Sequence, residues 1–277
     1  MGEQQQPFQM QNKYGLQPLK KKTIGEVIRG KIDYSHSKTF GAFDIKQLPD
    51  EYMLVSDILD QGSLPHCTAY ASCAIQESQH GIKFDPEDFY EAEGVINGKV
   101  QDFGYDMRVA MKTGKEYGFK PLSGGNPTDY QEGGYFDIDG PYDLFDNIRV
   151  ALWLAREEKK TAQLGTMWYE EWENTPNGII DESIIAKTPI GLHDIKGAGW
   201  KTINGILYIV IQNSWGKNNG DGGLYYFSRT IVNKEFKEGH FLWRTKGEIV
   251  KTQLRILELM KRILEILKEY YGSIFKK

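Results

Sequence analysis

The sequence predicts an α+β fold of two layers that meet along a cleft, and three observations predict it. The first half carries helical patterns: TAYASCAIQES behind Cys67, then FDPEDFYEAEGVI, MRVAMKTGKEYGF and DLFDNIRVALWLAREEK. The second half changes to short β-rich runs, AQLGTMWY, GLHDIKGAGW, GILYIVIQNSW and GGLYYFSRT, with turn signals between them. The 30 glycines and 16 tyrosines suit tight turns and aromatic-lined loops better than a helical bundle. Helices segregated from strands are the α+β pattern.

The elements follow in chain order. Residues 1–45 read as a flexible arm or short pro-like segment: polar and Gln-rich to KKK, then a few apolar anchors such as Ile24, Val27, Ile28 and Phe40. Residues 46–245 read as the main domain. Its first helix opens at Cys67, behind a glycine-containing turn. The second has Asp85 as N-cap and Pro86 in its first turn. The third closes near Gly118. Residues 120–142, rich in Gly, Pro, Asp and Tyr, read as loop, and a fourth amphipathic helix follows. Residues 246–277 hold a long amphipathic helix, 248–271, with Ile249, Ile256, Ile263 and Tyr270 every seven residues and Leu259 and Ile266 between them. Val250, Leu257, Met260, Leu264 and Leu267 widen this stripe beyond a two-stranded seam. Three uses stay open: docking in a groove of its own domain, self-association as a homo-oligomer through a coiled coil, or lying on a membrane surface. Glu258, Glu265 and Glu269 count against the last.

Composition excludes several classes. With 40 % apolar and 26 % charged residues the chain is an ordinary globular one. A net charge of -4 without a basic block argues against nucleic acid as partner. The stretch MGEQQQPFQMQNKYGLQ lacks the apolar core of a secretory signal, and no run reaches the length of a membrane span. Two cysteines make no disulfide framework. Cys67 and Cys73, six apart on one helix, stand about 9 Å apart along its axis, so they do not pair. A reducing, cytoplasmic compartment is the expectation. No His/Cys/Asp cluster has metal-ligand spacing, and no cofactor is expected. His36, His80 and His240 read as surface residues, and PEDFYEAE as a solvated helix face.

Gln61, Cys67, His193 and Asn213 form the constellation with chemistry. A thiol at a helix start meets the positive end of the helix dipole. His193 would take the thiol proton and later give it to a leaving group. Asn213 would fix the imidazole, with Trp215 covering that hydrogen bond. The Cys67 backbone N–H and the Gln61 amide would stabilise an oxyanion.

These residues resemble the papain-like cysteine peptidase family. QGSLPHCTAYAS is similar to the family's segment around its nucleophile, GLHDIKGAGW to its His-centred strand ending in a small-residue G-x-G turn, and QNSWGKNNGDGGLYYFSR to its Asn-Ser-Trp-Gly segment. The resemblance covers roughly residues 46–232. It implies a two-lobe fold, a helical left lobe and a β-barrel-like right lobe, with Cys67 and His193 facing each other across the cleft. It also implies a cysteine endopeptidase with a thioester acyl-enzyme and a polypeptide substrate. Leu64 stands where the family usually has a cysteine, Pro65-His66 replaces Gly-Ser, and Thr68 replaces a tryptophan. With the missing secretory signal and the short segment ahead of the domain, the expectation is a compact cytoplasmic branch of prokaryotic or viral type. They also leave two rivals: acyl transfer or isopeptide cleavage by the same residues, or a non-catalytic, self-assembling protein retaining the fold. For substrate contacts, Gly104 is favoured over Gly124 and Gly125, and His66, Asp194 and Trp215 are the other candidates.

Overall fold

The computed structural model describes residues 43–138, 142–173, 175 and 177–245. The helix expected over 248–271 and nearly all of the arm expected over 1–45 lie outside these residues. Among the described residues no helix is long and apolar enough to cross a membrane.

Three helices build one lobe: α1 (Cys67–His80), α2 (Pro86–Asn97) and α3 (Met107–Glu116). Local chemistry starts α2 and α3. The Asp85 carboxylate accepts the backbone N–H groups of Glu87 and Asp88, with Pro86 in the first turn. The Asp106 carboxylate does the same for Arg108 and Val109. Such caps satisfy N–H groups that have no partner within the helix. Gly81 and Gly98 end α1 and α2 in the left-handed region. The three pack around Cys73, Ile75, Phe84, Phe89, Tyr105 and Phe119, so Cys73 is core packing.

The other lobe is one sheet. Its strands are β1 (Tyr52–Met53), β2 (Glu132–Asp137), β3 (Ala162–Tyr169), β4 (Ile179–Ile180), β5 (Pro189–Ile203), β6 (Ile206–Gln212), β7 (Leu224–Ser228) and β8 (Phe236–Thr245). Their order is β2-β8-β3-β5-β6-β7-β4, with β1 on β5. All pairs are antiparallel except β4 with β7. The path has two ends, so the sheet is open, and the closed, barrel-like lobe expected from the resemblance is corrected to a mixed open sheet. Helices α4 (Leu144–Leu154), α5 (Glu170–Glu173) and α6 (Arg229–Glu235) complete the described chain. The sheet's core is aromatic: Trp168, Trp172, Trp200, Tyr225 and Phe227 are wholly buried.

Two local features differ from the expectation. The loop predicted over 120–142 contains β2, whose Gly-Gly and acids read as turn but pair with β8. The G-x-G of KGAGW is not a turn: β5 runs on to Ile203 with an irregularity between Gly197 and Gly199. Gly199 has φ +149°, and a Cβ there would stand 1.9 Å from the Tyr52 carbonyl oxygen. The glycine is what lets β1 lie against β5. The true turn is Asn204-Gly205, both residues at positive φ, a favoured hairpin pair.

One face of α1 is polar and reaches both its own lobe and the sheet. Thr68, Ser72 and Gln76 recur every four residues along α1 and so share one face. Their side chains meet Glu93 at 3.0 Å, Gln163 at 3.1 Å and Glu132 at 2.6 Å. Beside them the fully buried Lys196 of β5 donates to Ser56 and Gln212, each at 3.0 Å, and to Ser78. Burial pulls this ammonium down to about 7, Glu77 opposing. An unfolded lysine titrates near 10.4. Between these values the unfolded chain holds a proton that the folded chain has released, so this group's contribution to stability rises with pH across that window and levels off below it. The unfolding free energy of the wild type is therefore expected to climb relative to Lys196→Met between pH 7 and 10 in urea titrations. Parallel curves would contradict this.

Candidate active site

Cys67 is the first residue of α1 and is fully buried, and it is not in a disulfide. It packs with Met107 of α3 and with Leu192 of β5. Leu192 precedes His193 in the chain, so the strand bearing the histidine lies against the start of the helix bearing the thiol. The strand that carries His193 thus reaches the helix start that carries Cys67.

The His193 ring is fixed on three sides. Its Nε2 lies 2.8 Å from Oδ1 of Asn213. An amide oxygen only accepts, so Nε2 is the donor, and Nδ1 is the nitrogen that can exchange a proton with a thiol. Trp215 stacks on the ring, with centroids 4.6 Å apart and planes at 22°. Trp168 meets it edge-on at 5.3 Å. Trp215 is itself buried; its face covers the imidazole, whereas the expectation made it also a substrate contact.

Gln61 reaches the same place through backbone pairing. Asp60 bridges Trp215, Gln61 N–H donates to the Ser214 carbonyl at 2.8 Å, and Gly216 N–H donates to the Leu59 carbonyl at 2.9 Å. The Gln61 amide nitrogen donates to the Leu64 carbonyl at 2.7 Å. The Ser214 hydroxyl donates to Gln61 Oε1 at 2.5 Å, and its backbone N–H to Asn213 Oδ1 at 2.8 Å. Ser214 therefore holds both the glutamine and the asparagine. It stood inside the IQNSWG run without being singled out. Trp168 was missed as well, since its place in AQLGTMWY shows only a strand.

The remaining candidates have different positions from those expected. Asp194 follows His193, so it points to the opposite face of β5. It is fully buried, and Gln163 donates to its carboxyl. Burial pushes that carboxyl well above the usual range, the Gln163 bond opposing. So buried, it does not line the cleft, and its expected place among the substrate contacts is corrected. Gly104 is buried and its N–H already donates to the Tyr90 hydroxyl at 3.2 Å, so that N–H is not offered to a peptide. The exposed part of its loop is Asp102 and Phe103. His66 is half-buried: Nδ1 lies 2.9 Å from Glu87, and burial lowers its pKa against the pull of that carboxylate.

Two readings outside the site also change. His240 is buried on β8 between Asp137, at 2.9 Å, and Glu238, at 3.1 Å. Burial disfavours its charge, but the two carboxylates outweigh that and raise its pKa. In PEDFYEAE only part of the helix is solvated: Glu93 is fully buried, and burial raises its carboxyl well above the ordinary value.

The model of the papain family cysteine proteases matches residues 97–239, a span that includes His193 and Asn213 and begins after Cys67. The probable cysteine protease RD21B of Arabidopsis thaliana is 23 % identical over 190 residues, 64 % of this chain and 40 % of that protein. The cysteine proteinase RD21A of the same plant is also 23 % identical, over 198 residues, 67 % of this chain and 42 % of that protein. The chain spans about two fifths of the length of these curated relatives. Among solved structures, xylellain, a cysteine protease from Xylella fastidiosa, superposes with a TM-score of 0.66 at 20 % identity, over 86 % of this chain and 98 % of that one. Procathepsin B S9 of Trypanosoma congolense gives 0.57 at 13 % identity, over 72 % of this chain and 79 % of that one. These likenesses show the fold, and the family model covers just over half of the sequence that carries it: the chain belongs to the papain family of cysteine proteases.

Proposed function

We propose that the protein is a thiol endopeptidase in which Cys67, His193, Asn213 and Gln61 hydrolyse peptide bonds through a thioester. The observation that carries this is the His193–Asn213 bond, which leaves Nδ1 as the exchanging nitrogen on a strand packed against Cys67. Cys67 Sγ attacks the peptide carbonyl carbon as Nδ1 takes its proton. The tetrahedral oxyanion accepts from the Cys67 N–H at the start of α1 and from the Gln61 amide. The C–N bond then breaks, and His193 returns the proton to the leaving amine. Water attacks the thioester, His193 takes its proton, and the acid departs as the thiol reforms.

Asn213 orients the ring, and Trp215 keeps water off that bond. The wild type is expected to cleave an unfolded protein such as casein at neutral pH under reducing conditions, and Cys67→Ala to leave it intact. Equal cleavage by both, or none by the wild type, would overturn the proposal.

A further inference from the structure

Tyr90 of α2 touches both sides of a pocket beside Cys67. Its hydroxyl donates to the Gln101 carbonyl at 2.7 Å and accepts the Gly104 N–H at 3.2 Å. Those two groups bracket the exposed tip Asp102–Phe103. Tyr105 tightens the same loop, its hydroxyl accepting the Gln101 N–H at 3.0 Å. Gly104 closes the loop at φ +81°, a left-handed position that suits glycine.

The Tyr90 ring is stacked on His66, centroids 3.5 Å apart and planes at 20°. His66 is the residue before Cys67, and its carbonyl accepts the Tyr70 N–H of α1 at 3.0 Å. Its imidazole is held by Glu87, whose other oxygen accepts the Tyr70 hydroxyl at 2.9 Å. The pre-nucleophile turn and the 101–104 loop come from different stretches of chain, and Tyr90 is bonded to one and stacked on the other. Between them lies a pocket of ≈ 430 Å³, with Leu64, Pro65 and His66 on one wall and Val100, Gln101 and Asp102 on the other.

We infer that Tyr90 is a positioning residue that clips the 101–104 loop to the turn before Cys67 and so sets the width of a subsite for a polypeptide substrate. The inference rests on the peptidase reading for the substrate, and on geometry alone for the clip. Its hydroxyl fixes where the Asp102–Phe103 tip stands, and its ring fixes where His66 stands. Neither touches the reacting atoms, so the clip governs substrate fit and not the reactivity of the thiol.

Tyr90→Phe keeps the ring and deletes both hydroxyl bonds. Hydrogen exchange over residues 101–105 is expected to speed up by about tenfold, the order of one or two lost hydrogen bonds. Inactivation by an epoxysuccinyl peptide, which must fill the subsites, is expected to slow by a similar factor. Alkylation of Cys67 by iodoacetamide, which needs no subsite, is expected to stay within about twofold of the wild type. If Tyr90→Phe does not fold, His66→Ala, which deletes the stack, serves for the exchange readout, and residues 101–105 are expected to exchange faster there as well. Unchanged exchange overturns the clip, and an unchanged ratio of the two inactivation rates overturns its role in substrate fit. A wild type that neither reagent labels contradicts the peptidase reading instead, and exchange at 101–105 then decides the clip by itself.

Discussion

His193→Ala is expected to lower kcat/KM for peptide cleavage by about 10⁴-fold or more. The substitution removes the group that, in the proposed mechanism, takes the thiol proton and returns one to the leaving amine. It also deprives Asn213 Oδ1 of its 2.8 Å partner and Trp215 of the ring it covers. The loss should not add to that of Cys67→Ala, because the two residues act as one unit; the double variant should be about as inactive as either single one. Steady-state kinetics on one fluorogenic peptide, with circular dichroism to verify folding, would check both statements. A loss of less than about tenfold would mean that another group moves the proton.

Trp168→Ala is expected to cost about 3–5 kcal/mol of stability. Trp168 is wholly buried and stands edge-on to five other rings, among them Trp172 at 5.6 Å, Trp215 at 5.0 Å and Tyr225 at 5.3 Å. Removing the indole opens a cavity that these rigid neighbours cannot collapse to fill. It also removes the edge that braces His193, so the variant should lose activity beyond what its folded fraction explains. Urea unfolding monitored by circular dichroism reads the stability term. A cost below about 1.5 kcal/mol would show that the sheet's core repacks around the gap.

Much of this architecture could be read from the sequence where a local signal coincided with the tertiary one. Asp85, Pro86 and Gly98 mark the ends of α2 by cap chemistry alone. The run AQLGTMWY coincides with β3, since both faces of that strand are largely buried and it carries no charge. What was not legible depends on distant partners. β2 looks like a turn because its Gly-Gly and acidic residues acquire meaning only from β8, about a hundred residues later in the chain. β8 itself, inserted between β2 and β3, turns His240 from an apparent surface residue into a buried one.

The site follows the same division. Its motif residues were visible as residue types at spacings, and the positions given to Gln61, His193 and Asn213 bring them together. The substrate contacts were less visible, because the direction of a side chain on a strand or loop is set by register. Asp194 faces away from His193 for that reason, and the Gly104 N–H is taken by a tyrosine from another helix. Nothing in PEDFYEAE announces that Glu87 and Tyr90, three apart on α2, will grip the histidine before the nucleophile.

The most direct test of an assembled Cys67–His193 pair is intact-mass analysis after exposure to an epoxysuccinyl peptide at neutral pH, comparing the wild type with His193→Ala. One adduct, mapped to Cys67 and not to the core residue Cys73, and lost or much slowed in the variant, is the predicted result. No adduct on the wild type, or equally slow labelling of both proteins, would contradict a working thiol–imidazole pair.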